Sequence, residues 1–300
     1  MNVKVFVPCD SAALAVGADE VADALLKEAH ARGLSLDLQR NSSRGLFWLE
    51  PLVEVEVQGK RLAYGPVSFQ DVPSLFEAHF LSGGTHALAL GDIEALPYLA
   101  RQQRLTFARM GITRPLSLDD YATHGGWLGL KKAISLSDTE VVQAVLDSGL
   151  RGRGGAAFPA GIKWRTVMQA QAHQKYVVCN ADEGDSGTFS DRMTLEGDPY
   201  MLIEGMAIAG LAVGATQGYI YIRSEYPHAI ATMQAAIQLA QAAGYLGDNV
   251  MGSGKAFELH VRKAAGAYVC GEETAMLESL EGKDRKSTRL NSSHVALSRM

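Results

Sequence analysis

Three stretches near the start alternate apolar and polar residues. Val3, Val5 and Val7 share one face of the first, Leu34, Leu36 and Leu38 one face of the second, and Val53, Val55 and Val57 one face of the third. A period of two marks half-buried strands. Between the first two, Val21, Leu25 and Ala29 recur at helical spacing, and Gly33 supplies a stop. Gln58-Gly59-Lys60 turns the third strand toward Leu62-Ala63-Tyr64, a predicted hairpin. Residues 73–81 read as a closing helix.

The order βαβββα over residues 1–91 predicts a small thioredoxin-like α/β domain. Pro97, Pro115 and Gly125-Gly126 punctuate residues 92–135, which read as a connector with short helices. Ser137 and Glu140 fit a capping box, Val141, Val142, Val145 and Leu146 supply an apolar face, and Gly149 ends that helix. From Tyr176 the rhythm is strand and helix by turns. Tyr176–Cys179 reads as a strand. Asp198-Pro199 opens a helix to about Val213. Tyr219–Ile222 is a strand, 227–243 a helix stopped by Gly244, and 257–261 a strand. Such alternation predicts a mostly parallel sheet with helices on its faces, here over 136–283. Ligands of such sheets sit beyond the carboxyl ends of the strands. The tail, 284–300, has no apolar period.

A chain of 300 residues with 47% hydrophobic and 20% charged residues can bury a full core. Its 28 basic and 33 acidic residues leave a net charge of −5, which disfavours a nucleic-acid binder that works through bulk electrostatics. No apolar run reaches the length of a membrane span, and the N-terminus carries no secretion signal. The cytoplasm is the expected compartment. Cys9, Cys179 and Cys270 are widely spaced. Three thiols cannot hold one four-thiolate iron–sulfur cluster, and the pattern is no disulfide framework.

Three clusters could carry chemistry. In Gly152-Arg153-Gly154-Gly155-Ala156-Ala157 the spacing satisfies a relaxed dinucleotide fingerprint, but it follows a helix where a Rossmann fingerprint follows a strand. It reads either as a plain glycine turn or as a cradle of backbone amides flanked by Arg153 and Lys163, suited to a phosphate or flavin. Asn180-Ala181-Asp182-Glu183-Gly184-Asp185 begins where a strand ends. It reads as a solvated acidic loop, a divalent-metal site, or a set of acceptors for sugar or ribityl hydroxyls. Residues 266–274 include Gly271, Glu272, Glu273 and Thr274, of which Glu272 or Thr274 could equally cap a helix from Ala275. No Ser–His–Asp or Cys–His arrangement stands out.

Together, residues 149–164, 179–183 and 266–274 resemble the flavin subunit of respiratory NADH dehydrogenase, the 51-kDa type. The stretch 180–192 and the thioredoxin-like front are similar to the beta subunit of soluble NAD-dependent formate dehydrogenases. The resemblance covers residues 2–283. It implies a Rossmann-like domain with FMN and NADH in one cleft. Gly152, Arg153, Gly154 and Lys163 would line the FMN phosphate and ring side. Asn180, Asp182 and Glu183 would take the ribityl chain and ring edge, and Gly271, Glu272, Glu273 and Thr274 the opposite wall. Phe158 would stack on the adenine of NADH, and Asp185 and Glu273 would hold its hydroxyls. No catalytic acid or base is implied, and no metal ligand.

The resemblance also implies partners: an iron–sulfur or molybdenum catalytic subunit and a small 2Fe–2S subunit. A complex I or hydrogenase diaphorase subunit is the alternative assembly, and an inactive docking or scaffold fragment the alternative function. Relatives carry a C-terminal domain with a 4Fe–4S cluster whose ligands are absent from this chain. The family pattern stops after Lys283, so 284–300 is expected to be a non-native tail. Cys9 alone cannot hold the 2Fe–2S cluster that many relatives with this front bear.

Overall fold

The computed structural model describes residues 3–153, 156–185, 187–264 and 272–282. The expectation for 284–300 therefore lies outside the described residues.

The front begins with β1 (Val3–Phe6), α1 (Ser11–Leu14), α2 (Ala18–Ala31) and β2 (Leu36–Gln39). It continues with β3 (Val53–Val57), β4 (Lys60–Tyr64), α3 (Val72–Glu77) and β5 (Ala89–Asp92). The sheet order is β2-β1-β3-β4-β5. β1 runs parallel to β2 and antiparallel to β3, and the β3–β4 hairpin pairs Val57 with Lys60 around the predicted turn. This is the thioredoxin-like arrangement that the pattern predicts, with one more strand. Val5, Val7, Val21, Leu25, Val53 and Val55 fill one core with Leu75 and Phe80.

One buried acid here sets a pH dependence. Glu50 is 5% exposed, and its carboxyl accepts from Ser43 Oγ at 2.6 Å and Leu52 N at 2.9 Å. Burial, and then the nearby acids Asp10 and Glu54, outweigh these bonds and push Glu50 from the ordinary 4.5 up to about 7. The folded state thus prefers the protonated acid, so stability is lost as pH rises from 4.5 through 7. Glu50→Gln should remove a loss on the order of 3 kcal/mol between pH 5 and 8. Urea midpoints at the two pH values check this; an unaltered pH slope in the variant refutes it.

Between the front and the second sheet lie the short helices α4 (Pro97–Ala100), α5 (Leu118–Thr123) and α6 (Leu128–Ile134). Then come α7 (Asp138–Asp147), α8 (Ala160–Gln169), β6 (Tyr176–Ala181), α9 (Ser190–Gly197) and α10 (Pro199–Val213). β7 (Gln217–Ile222), α11 (Pro227–Ala242), β8 (Glu258–Lys263) and α12 (Glu273–Leu280) complete the order. The Ser137–Glu140 capping box forms as predicted. Asp198 stands at the amino end of α10, as expected. Its side chain makes no cap bond at α10 and instead takes Arg109 Nε at 2.8 Å.

The second sheet is β6-β7-β8, all parallel, as predicted. Alternation sends Ala181, Ile220, Ile222 and Leu259 into a core with α10 and α11. Val178 and Tyr221 point to the other face, where Met276 and Leu280 of α12 cover them. The connector is anchored by Glu204 of α10. That carboxyl accepts from Tyr121 Oη at 2.5 Å, Trp127 N at 2.8 Å and Leu130 N at 2.9 Å.

Candidate functional site

The three parallel strands end in one row: Ala181 pairs with Ile222, and Ile222 with Lys263. Asp182, Arg223 and Ala264 therefore leave the sheet side by side at its carboxyl edge. This is where a parallel α/β sheet presents ligand groups.

The glycine turn is built between α7 and α8. An antiparallel bridge pairs Arg151 with Pro159. Gly152 N donates to Phe158 O at 2.9 Å, and Ala160 N to Leu150 O at 2.8 Å. The turn thus opens α8 without a preceding strand, as the sequence indicates. Gly161 sets its position: a Cβ there would lie 2.7 Å from the Leu146 backbone nitrogen, so only glycine lets α8 sit so close to α7. Gly152 and Arg153 are exposed, while Gly154 lies outside the described residues.

Lys163 and Glu273 join the first cluster to the third. Lys163 Nζ stands 3.8 Å from Glu273 Oε2, and 5.7 Å from the ring centroid of Phe158. Phe158 is 46% exposed, and the ion pair is open to water. A pair this exposed adds little stability, so its charges are available to a ligand. Glu272 takes the structural role that its position also allows: its carboxyl caps α12, accepting from Thr274 N and Ala275 N at 2.9 Å each. Tyr221 Oη meets Ser279 Oγ at 2.8 Å and fixes the helix on the sheet. Gly271 lies outside the described residues.

The second cluster is a tight acidic loop. Asp182 is 2% exposed, and its Oδ1 has no hydrogen-bond partner among the described residues. Burial pushes its carboxyl above the ordinary range, and Arg223 opposes that shift. A buried acceptor left unanswered is costly and calls for a donor. A sugar or ribityl hydroxyl supplies one, so the residues present fit an FMN. Asn180 places its Oδ1 3.3 Å from Asp182 N. Asp185 is exposed in the same loop. Glu183 does not offer its carboxyl to the edge. It sits at φ 44° and accepts from Asp191 N at 3.0 Å and Arg192 N at 2.8 Å, capping α9.

Arg223 escaped the sequence reading. Its Nη1 donates to Glu183 O at 2.8 Å, its Nη2 to Glu225 at 3.0 Å, and its buried Nε lacks a partner among the described residues. The rule that picked out Asp182, a polar residue just past a strand end, applies equally to Arg223 after β7.

Iron–sulfur chemistry does not fit the described residues, which hold no group of three or more metal-ligating side chains. Burial pushes the Cys9 thiol up to about 11 and that of Cys179 to about 12. Neither offers a thiolate near neutral pH. A cavity of about 350 Å³ lies away from the three clusters, lined by Cys9, Arg40, Glu196, His228 and Thr232 among others. Among the described residues no helix is long and apolar enough to cross a membrane.

Residues 145–297 match the Nuo51 FMN-binding domain. The chain belongs to that family. It is 51% identical over 183 residues to the NADP-reducing hydrogenase subunit HndC of Solidesulfovibrio fructosivorans, covering 61% of this chain and 37% of the relative. It is 44% identical over 164 residues to the mitochondrial NADH dehydrogenase (ubiquinone) flavoprotein 1 of Dictyostelium discoideum, covering 54% and 34%. A solved NAD+-reducing [NiFe]-hydrogenase aligns over 94% of this chain and 46% of its own, at TM-score 0.49 and 26% identity. The aligned part thus spans little more than a third of the two curated relatives.

Proposed function

We propose that this chain is the FMN-binding, NADH-oxidising part of a diaphorase subunit within a multi-subunit oxidoreductase. The observation that carries the reading is the buried Asp182 Oδ1, unanswered among the described residues, at the carboxyl edge of a sheet whose sequence belongs to an FMN-binding family. In this reading Arg153 and Lys163 neutralise the FMN phosphate beside Gly152. Asn180 and Asp182 take ribityl hydroxyls, and Thr274 and the α12 N-terminus close the opposite side. Phe158 stacks on adenine, with Asp185 and Glu273 on ribose hydroxyls. When bound, FMN supplies the hydride acceptor for NADH and passes electrons on one at a time. The protein's share would be to bind and orient the two cofactors against each other and to keep water out.

Anaerobic NADH should bleach the flavin absorbance of the FMN-loaded chain; a flavin that stays oxidised with NADH in excess contradicts the reading. Glu273→Gln should raise the NADH dissociation constant roughly tenfold, the cost of weakening one charged hydrogen bond. FMN affinity should change far less, because in this reading the Glu273 carboxylate holds a ribose hydroxyl of NADH rather than FMN. Equal effects on both ligands refute that division.

For the assembly, the stretch 180–192 and the thioredoxin-like front favour a soluble NAD-dependent formate dehydrogenase. Hydrogenase and complex I diaphorases are the alternatives, which the named relatives favour. The discriminating assay is NAD reduction by the purified assembly with formate or with hydrogen as donor. The acceptors of the single electrons are iron–sulfur centres of the partner subunits.

A further inference from the structure

The front sheet carries one cysteine and no metal-binding cluster among its described residues, yet it is bolted to the flavin-binding half through α9. The helix has eight residues, so it is about 12 Å long. Its two ends are held by different parts of the chain. At the amino end, Glu183 of the acidic loop accepts from Asp191 N and Arg192 N. At the carboxyl end, Glu196 is 2% exposed and accepts from Ser11 N at 2.8 Å and Ser11 Oγ at 2.7 Å. Ser11 opens α1, directly after the first strand of the front, and its neighbour Asp10 caps that helix.

Packing makes the joint stiff. A Cβ on Gly197 would fall 2.4 Å from Met110 Cε and 2.7 Å from Ser42 Cβ. Asp198, next in line, is held by Arg109. The carboxyl end of α9 thus has no room to slide. Its sequence, SDRMTLEG, is mostly polar; Leu195 packs into the core of the second sheet, and the end contacts fix the remainder of the helix.

We propose that Ser11 and Glu196 are positioning residues through which the front sets the acidic loop of the flavin cleft. The front's orientation is passed along α9 to Glu183, and from Glu183 to the adjacent Asp182. A partner that docks on the front and shifts α1 changes the loop by the same route. The link to flavin rests on the function proposed above; the mechanical link does not.

Amide hydrogen exchange of the full, ligand-free chain tests the mechanical link. Ser11→Ala removes one of the two bonds to Glu196 with little change in volume, and Glu196→Ala removes both. In each, exchange over 182–192 should quicken severalfold, while β3 and β4 remain as protected as before. Glu196→Gln, which keeps the length and an acceptor, should restore most of the protection. Unchanged exchange over 182–192 in folded Ser11→Ala protein overturns the proposal. An FMN titration separates the two claims. The Ser11→Ala dissociation constant should rise roughly 2- to 30-fold, the range for coupling between distant sites, and Glu196→Gln should stay near wild type. Wild-type protein that binds no FMN would defeat the functional reading alone, with the exchange result still deciding the strut. An FMN affinity unaltered by Ser11→Ala would refute the proposed coupling to the cleft.

Discussion

Asp182→Ala should weaken FMN binding by roughly 10- to 100-fold, the value of one hydrogen bond to a charged acceptor. The residue is the buried group in the candidate cleft with an oxygen left unanswered among the described residues. A ligand hydroxyl that donates to it gains a charged bond in a shielded place, where such bonds are strongest. The same burial that raises its proton affinity makes it a burden to the ligand-free fold. Asp182→Ala should therefore leave the unfolding midpoint equal or higher while flavin affinity falls. Fluorescence titration beside a thermal melt reads both quantities. A variant that loses stability and keeps its FMN affinity would make Asp182 a structural acid and remove the main physical support for the cleft.

The largest expected effect on stability is at Glu204. Three donors converge on its buried carboxyl: the Tyr121 hydroxyl and the amides of Trp127 and Leu130. Truncation to Ala leaves all three in a core packed by Trp127, Tyr200 and Tyr245. Orphaned buried donors cost more than the bonds are worth when intact, so the loss should be about 3–5 kcal/mol. Glu204→Gln keeps an acceptor and should lose distinctly less. Urea denaturation measures both. A loss under about 1 kcal/mol for Glu204→Ala would mean that the connector is held by other contacts.

Much of this architecture is legible in the chain, for reasons that differ by element. The valines of β1 and β3 alternate because their face of the sheet packs into the front core, while the opposite face carries charge, with Glu54 buried on Arg44 and Lys4 and Glu56 exposed. α10 is apolar nearly all round, and α11 follows a Pro at its first turn. The capping box at Ser137 announces α7. The omissions have physical causes too. β5 ends in Gly91-Asp92, residues that read as a turn, and it forms because β4 offers an open edge. α8 begins just after a glycine- and proline-rich turn, so its start is hidden in the motif itself. α9 is set by Glu183, eight residues before Asp191, and by Ser11 and Arg109, both distant in sequence, and no helical pattern within α9 itself reports such bonds.

The site divides the same way. The glycine turn, Lys163, Asp182 and Glu273 can be picked out from spacing and strand ends, and the structure pairs Lys163 with Glu273 directly. The capping role of Glu272 is open to a local reading beside Ala275, whereas that of Glu183, which reaches over the loop to α9, is not. Each is an acidic residue in a motif, and each spends its carboxyl on the amino end of a helix, where the aligned amides attract negative charge. In the proposed flavin site they would act by fixing the loops that carry it. Arg223 stands just past the end of β7 as Asp182 stands past β6, so the same strand-end rule reaches it.

The most direct measurement is a titration of the purified chain with FMN, followed by flavin fluorescence. The proposed flavin site predicts quenching that saturates at one flavin per chain and is reversed by excess non-fluorescent FMN analogues with a phosphate, but not by analogues without one at the same concentration. Folded protein that leaves the emission of FMN unchanged at every ratio would contradict it.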